Sequence, residues 1–323
     1  MKLNGFVGAA LAALFVSVAY AAPVATDPMA EKVLAQMSSA FKNRAWSGMM
    51  MYTRGEQSVS LQFHQDVVGG KTIERIERLS GDPIQVMRRG NWLLGLYPGN
   101  ESLRRGHNLP TGSMPALGQR IQHIKNHYTL ELGAPTRVAG RSATPITLRA
   151  NDQYRYSRRY WCDNETGLML RSQTLNHSGS VLEQFEFVSI ELGAPIDEDT
   201  LVVDAQGMQV FRHALVENTL TESTPIIRLP KGFMPLGQGA PDQEIITHLF
   251  SDGVALVSVF YEQVAGPAPE VTAFQGPTRA LSRVLAQGTD YFKVTLVGEV
   301  PEALLKGLLE QIDTTRLPGL IRG

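Results

Sequence analysis

The chain has 323 residues, with 30 Lys plus Arg against 31 Asp plus Glu, so a formal charge of −1 selects no nucleic-acid partner. This length supports two ordinary domains or one large one, each with its own core, and excludes a miniprotein that depends on staples. With 43% apolar and 19% charged residues, and too little Gly and Pro for a fibrous or disordered chain, the composition is that of a folded, water-soluble protein.

Lys2 is the only charge before Asp27, an apolar run extends from Gly5 to Val18, and Ala19-Tyr20-Ala21 supplies small residues for cleavage. Residues 1–21 therefore read as a secretory signal, the run being too short to span a bilayer. No later segment is long and apolar enough to span, which places the mature chain in water outside the cytoplasmic membrane. The sole Cys162 can form no internal disulfide and reads as a packed strand residue, because no base partner marks it as a nucleophile.

The first element after the signal is a helix. Asp27 can cap it, Pro28 suits its first turn, and Val33, Leu34, Met37 and Phe41 fall on one face, predicted to lie on a sheet. From Trp46 to about Leu192 the apolar period becomes two, as in Leu61 and Phe63, Trp92, Leu94 and Leu96, or Phe185 and Phe187. Turn signals such as Gly69-Gly70, Gly81-Asp82-Pro83 and His177-Ser178-Gly179 separate these runs, which predicts a many-stranded antiparallel sheet large enough to curl. Residues 109–118 read as a loop, followed by a short helix around Leu117 to Asn126.

Residues 193–240 are rich in Pro and Gly, so the first domain is expected to cover 22–205 and a connecting segment 206–222. In the last part, 223–323, four strands are predicted: Glu244 to Leu249, Val254 to Tyr261, Arg279 to Leu285 and Asp290 to Val297. Pro301 then opens a helix whose Leu304, Leu305, Leu308, Leu309 and Ile312 form an apolar face, giving a smaller α+β domain. The fold class is thus mainly β with some α, in two domains.

Charge is uneven within the neutral total. Residues 71–171 hold 16 basic and 8 acidic groups, and fourteen of the basic ones are Arg, including Arg88-Arg89, Arg104-Arg105 and Arg158-Arg159. Arg forks fit phosphate and carboxylate, so this stretch reads either as an anion-binding region or as a solvated sheet face. His123 and His127 stand four apart, but no third ligand is apparent and no metal is expected. Nucleophile elbow, phosphate loop and dinucleotide turn are absent, and no pair of acids is placed in a cleft, so an enzyme is not expected and no cofactor is implied.

Several stretches together resemble one family. They are Val138-Ala139-Gly140-Arg141, Asp152-Gln153-Tyr154-Arg155-Tyr156, Trp161-Cys162-Asp163, Thr166-Gly167-Leu168-Met169-Leu170-Arg171, Gly179-Ser180-Val181-Leu182-Glu183-Gln184-Phe185 and, later, Leu229-Pro230-Lys231-Gly232-Phe233. The chain resembles the periplasmic envelope-stress regulators RseB and, in pseudomonads, MucB. The resemblance implies a larger N-terminal domain like the lipoprotein carriers LolA and LolB, an unclosed antiparallel barrel with a helical plug. It implies a smaller C-terminal domain that contacts the periplasmic part of a membrane anti-sigma factor, RseA or MucA, and shields it from site-1 proteolysis. Lipid or lipopolysaccharide would be the releasing ligand, and a homodimer is left open; a lipid or lipoprotein carrier of the LolA/LolB type is the alternative.

Two residue sets follow from these expectations. One sheet face, drawn from Met50, Tyr52, Leu61, Phe63, Trp92, Leu94, Leu96, Leu168, Leu170, Phe185 and Phe187, is expected to line the lipid cavity. The anti-sigma contact is expected to use Phe233, Leu236, Phe250, Phe260 and Tyr261 as its apolar part, with Arg158 and Arg159 at its rim.

Overall fold

A computed structural model describes residues 27–42, 44–89, 92–98, 121–193, 208–214, 226–242 and 245–322. The expected signal, Arg104-Arg105 and the Ala205 boundary lie outside the described residues.

The chain opens with α1 (Pro28–Lys42), started by Asp27, whose Oδ1 accepts the Met29 N–H at 2.8 Å. Strands β1 (Trp46–Arg54), β2 (Gln57–Val68), β3 (Lys71–Arg78), β4 (Gln85–Arg89) and β5 (Trp92–Pro98) follow. After α2 (Ile121–Lys125) come β6 (Tyr128–Leu132), β7 (Thr136–Val138), β8 (Arg141–Ala150), β9 (Ser157–Asp163), β10 (Met169–Leu175), β11 (Val181–Leu192) and β12 (Met208–Ala214). They form one antiparallel sheet in the order β12-β5-β4-β3-β2-β1-β11-β10-β9-β8-β6, with β7 on β8. The order is an open path ending in β12 and β6, and no ladder joins its ends among the described residues.

Directly paired residues share a face, so the register defines an inner surface. Met50 opposes Leu61 and Phe187, Gly48 opposes Phe63, and Tyr52 opposes Phe185. Against this surface α1 buries Ala30, Leu34 and Met37 as it lies along β6 and β8. Trp46 stacks on Phe63 with ring centroids 4.7 Å apart and meets Phe187 edge-on at 5.2 Å. At Gly48 a Cβ would run into the Ser189 carbonyl and the Phe187 ring, so only glycine lets β1 approach β11 beside the bulge at Met49 and Met50.

The second sheet holds β13 (Met234–Asp242), β14 (Ile245–Ser251), β15 (Leu256–Val264), β16 (Val271–Gln275), β17 (Thr278–Gln287) and β18 (Asp290–Gly298), in the order β13-β14-β15-β18-β17-β16. Helix α3 (Glu302–Glu310) buries Leu304, Leu305, Leu308 and Leu309 against Val257, Val259, Tyr261, Phe292, Val294 and Leu296, making a separate core. A 3-10 turn (Thr314–Arg316) and α4 (Leu317–Arg322) end the chain.

Three expectations are corrected. Part of the segment read as a connection, Met208–Ala214, is the edge strand beside β5. The small sheet has six strands rather than four, β13 and β16 being the additions. Of the short helix expected around Leu117 to Asn126, Ile121–Lys125 is helical and residues 117–120 lie outside the described residues. Leu94 and Leu96 do not join Phe63: they oppose Met87 and Gln85, which oppose Arg75 and Glu77, which in turn oppose His64 and Gln62, all on the outer face.

Candidate functional site

The two sheets share no strand, so side chains must join them, and the loop from β8 to β9 supplies the main ones. Asp152 Oδ1 accepts the Tyr154 N–H at 2.9 Å, a local turn that sends Tyr154 into the small domain's core cluster and Arg155 between the domains. Arg155 is fully buried. Its Nε donates to Asp252 Oδ2 at 2.7 Å, its terminal nitrogens donate to Asp152 and to the Lys231 carbonyl (2.6 Å), and the guanidinium lies 4.7 Å over the Phe233 ring.

Asp252 is equally buried and sits in the turn from β14 to β15. Its Oδ1 accepts from the amides of Val254 (2.9 Å) and Ala255 (2.7 Å), and its Oδ2 also takes the Tyr128 hydroxyl at 2.9 Å. Burial, then the Asp252 charge, raises the Tyr128 pKa well above 10, so that hydroxyl stays a donor. Beside them His123 Nε2 meets the Gly232 carbonyl at 2.5 Å. Gly232 has φ +100°, and any Cβ there would collide with His127 and Arg155. Val254 completes the exchange by packing on the large domain's core.

A second arm lies at the end of the large sheet's inner face. Arg158 donates to Glu299 of the small domain at 2.7 Å, bonds Thr174, and faces Glu183 at 3.6 Å. Glu183 also accepts the Tyr52 hydroxyl at 2.9 Å and faces Arg54 at 3.5 Å. Gly276, in the turn from β16 to β17, abuts Arg54, whose Cγ would stand 2.5 Å from an added Cβ.

This seam is made of charge as well as hydrophobic contact, which bears on its role. A buried ion pair contributes little net stability, because desolvation offsets the Coulomb gain, but losing one partner is costly. The pairs therefore specify one interdomain arrangement, and anything that separates them must rehydrate both arginines. The arrangement can couple events on one domain to the position of the other.

Two family models match: the MucB/RseB N-terminal domain over residues 29–205 and the MucB/RseB C-terminal domain over residues 223–313. The chain belongs to the MucB/RseB family. It is 29% identical over 289 residues to the sigma factor AlgU regulatory protein MucB of Pseudomonas aeruginosa, covering 87% of this chain and 90% of that protein. It is 23% identical over 303 residues to the sigma-E factor regulatory protein RseB of Escherichia coli K12, covering 92% and 94%. The complex structure of Pseudomonas aeruginosa MucA/MucB superposes with a TM-score of 0.69 at 26% identity, covering 87% of this chain and 96% of that one. A crystal structure of MucB gives 0.64 at 25% identity, covering 88% of this chain and 98% of that one.

Placed on this MucB/RseB structure, the expected lipid-binding residues divide. Met50, Leu61, Phe63, Leu170 and Phe187 are buried on the inner face, Tyr52 and Phe185 are half-buried there and stack at 4.5 Å, and Leu168 is buried just before β10. Leu94 is half-buried and Leu96 buried on the other face; the Trp92 side chain lies outside what is described.

The expected anti-sigma residues divide too. Phe250 and Tyr261 are core residues of the small domain, so neither offers an open docking surface. Arg158 is buried and committed to Glu299 and Glu183 rather than standing at a rim. Arg159 lies on the outer face, bonding Thr147 at 3.1 Å and lying over Trp161. Phe233 is under Arg155 in the seam, while Leu236 and Phe260 are half-buried. Cys162 is a buried strand residue of β9, its thiol pushed up to about 12 by burial. Arg155, Asp252, Tyr128 and Glu299, which hold the domains together, were not singled out by the sequence; only Arg155 stood in a motif that did draw notice.

Proposed function

We propose that this chain regulates an envelope-stress sigma factor from the periplasm, by binding the periplasmic region of a membrane anti-sigma factor and shielding it from site-1 proteolysis. The observation that carries the reading is the likeness, across both domains, to MucB in complex with MucA(peri). The chain acts as a binding protein without catalysis of its own. Among the described residues no helix is long and apolar enough to cross a membrane, in keeping with a soluble partner of a membrane-anchored one.

Release by lipid is the finer part of the proposal. The inner face between Met50, Leu61, Phe63, Leu170 and Phe187 is the apolar surface an acyl chain would enter, displacing packed side chains or α1. A lipid dissociates the anti-sigma factor only if it favours a conformation that binds the factor less well, and the effect must be reciprocal. The buried seam is the element whose geometry either ligand would bias. A carrier working through the first domain alone has no need of a second domain fixed by Arg155 and Asp252.

The test is a titration of the anti-sigma periplasmic peptide into the full mature chain, with and without a short-chain lipid phosphate. The expected result is tight binding that weakens as lipid saturates. Undetectable peptide binding would overturn the regulator reading, and binding unchanged at saturating lipid would overturn the release mechanism alone.

A further inference from the structure

The small domain presents one tight turn to the large one. Pro230-Lys231-Gly232-Phe233 closes with the Phe233 N–H on the Pro230 carbonyl at 3.3 Å, and Gly232, at φ +100°, takes the third position, where a side chain would be strained. The Lys231 carbonyl of this turn accepts from Arg155, and the Gly232 carbonyl accepts from His123. A carbonyl only accepts, so His123 holds a proton on Nε2 and donates whether the ring is neutral or charged. His127 is placed differently. Its Cδ2–Nε2 edge lies against the Gly232 α-carbon, where an added Cβ would strike both atoms, and its ring centroid stands 5.5 Å from that of His123. An imidazolium needs an acceptor at each nitrogen, and an α-carbon offers none.

We propose that His127 is an acid-sensitive latch, whose protonation releases this turn from its socket and lets the two domains swing apart. The groups that face it come from several elements. Arg155 and Asp152 belong to the loop from β8 to β9, His123 to α2, and Asp252 to the turn from β14 to β15. His177, exposed in the turn from β10 to β11, reaches the Asp152 carbonyl at 3.3 Å. Both carboxylates are already committed: Asp152 to Arg155 and the Tyr154 amide, Asp252 to Arg155, Tyr128 and two further amides. Neither is free to turn to a new cation, and charging both histidines would set three cations against two carboxylates. Burial is the first reason the closed form refuses the proton, followed by Arg155 and His123. Once the domains part, water solvates the ring and its ordinary value of about 6.5 returns. The open form therefore takes up a proton that the closed form refuses, so closure is fully favoured above about pH 6.5 and weakens as pH falls toward the closed-state value. The Arg158–Glu299 pair contains no histidine and serves as the pivot. The proposal does not rest on the anti-sigma reading, since no partner takes part.

The test uses the full mature chain alone, at constant ionic strength. Small-angle X-ray scattering, extrapolated to zero concentration, should show the radius of gyration rise reversibly between about pH 7.5 and about pH 5.5, with a midpoint below about 6.5. Nuclear magnetic resonance of the imidazole Cε1 protons should give His127 the same midpoint, and His123→Gln should move it toward the ordinary value. His127→Gln keeps a neutral polar side chain and should lose the rise. His127→Lys brings a charge to the same place and should be expanded already at about pH 7.5, with the thermal transitions of both cores still present. A radius of gyration that stays constant over this range overturns the proposal. So does a rise that His127→Gln retains, or a His127 midpoint at or above about 6.5 in the natural chain. Should a variant fail to fold, the two measurements on the natural chain decide alone.

Discussion

Replacing Asp252 by Asn isolates what the buried seam contributes. The Asn carbonyl can still accept from the Val254 and Ala255 amides, which preserves the turn, and the Tyr128 hydroxyl can rotate to accept from the new amide. Arg155 Nε–H cannot adapt: it faces a donor, and its fully buried charge is left with Asp152 and the Lys231 carbonyl. Breaking a buried pair from one side costs about 3–5 kcal/mol, and two of Arg155's three polar contacts survive, so about 3 kcal/mol is expected. Arg155→Met should cost about 2 kcal/mol, because Asp252 keeps three of its four hydrogen bonds. With both changes neither charge of this pair remains buried, so the double variant should be more stable than the sum of the singles predicts, by about 2 kcal/mol. Urea unfolding by tryptophan fluorescence and calorimetry measures this; Trp46, Trp92 and Trp161 all lie in the large sheet's part of the chain, so fluorescence follows that domain while calorimetry follows both. Asp252→Asn should split the calorimetric transition. A single unshifted transition, or a coupling below about 0.5 kcal/mol, would refute the seam as the element that fixes the domains.

Burial, then Arg155 and His123, hold the His127 pKa below 6.5, outweighing Asp252 and Asp152. The unfolded chain therefore takes up a proton that the folded one refuses, so the stability from this group is present above about pH 6.5 and is lost as pH falls toward the folded value. The urea midpoint of His127→Gln should fall less than that of the natural chain between about pH 7.5 and pH 5.5, and an identical fall would remove His127 from the account. Gly232→Ala should weaken anti-sigma peptide binding while each core stays formed, because its Cβ strikes His127 and Arg155 and neither core; calorimetry and titration together report this. Leu61→Ala should cost about 2–5 kcal/mol, and of the two changes Leu61→Trp and Leu94→Trp, only the first should alter lipid affinity. Equal effects on lipid binding would contradict the assignment of the inner face.

The sequence conveyed much of this fold because alternation is a local property. Leu61 and Phe63, or Val257, Val259 and Tyr261, declare a half-buried strand without reference to a partner. Which face each strand presents is not local: it depends on how many residues intervene before the next pairing, so Leu94 joined Phe63 on the page and stands opposite it in space. β13 and β16 were passed over because proline and glycine crowd them, the first containing Pro235 and Pro241 and the second lying between Pro269 and Pro277. The seam was least legible. Arg158 and Glu299 are 141 positions apart, and nothing in either neighbourhood names the other. The alternation through Val257, Val259 and Tyr261 did carry the warning that Tyr261 belongs to a core, which the search for a docking surface passed over.

Cys162 gives the molecule a practical property. Burial pushes its thiol up to about 12, so it stays protonated at neutral pH, and the side chain is closed to solvent. Maleimide and disulfide reagents should leave it untouched, so the natural chain already serves as a cysteine-free background. A cysteine at exposed Glu56, in the turn from β1 to β2, and another at exposed Ala286 on the small sheet would then carry a dye pair without further engineering. Energy transfer between them would follow the angle between the domains while peptide or lipid is added.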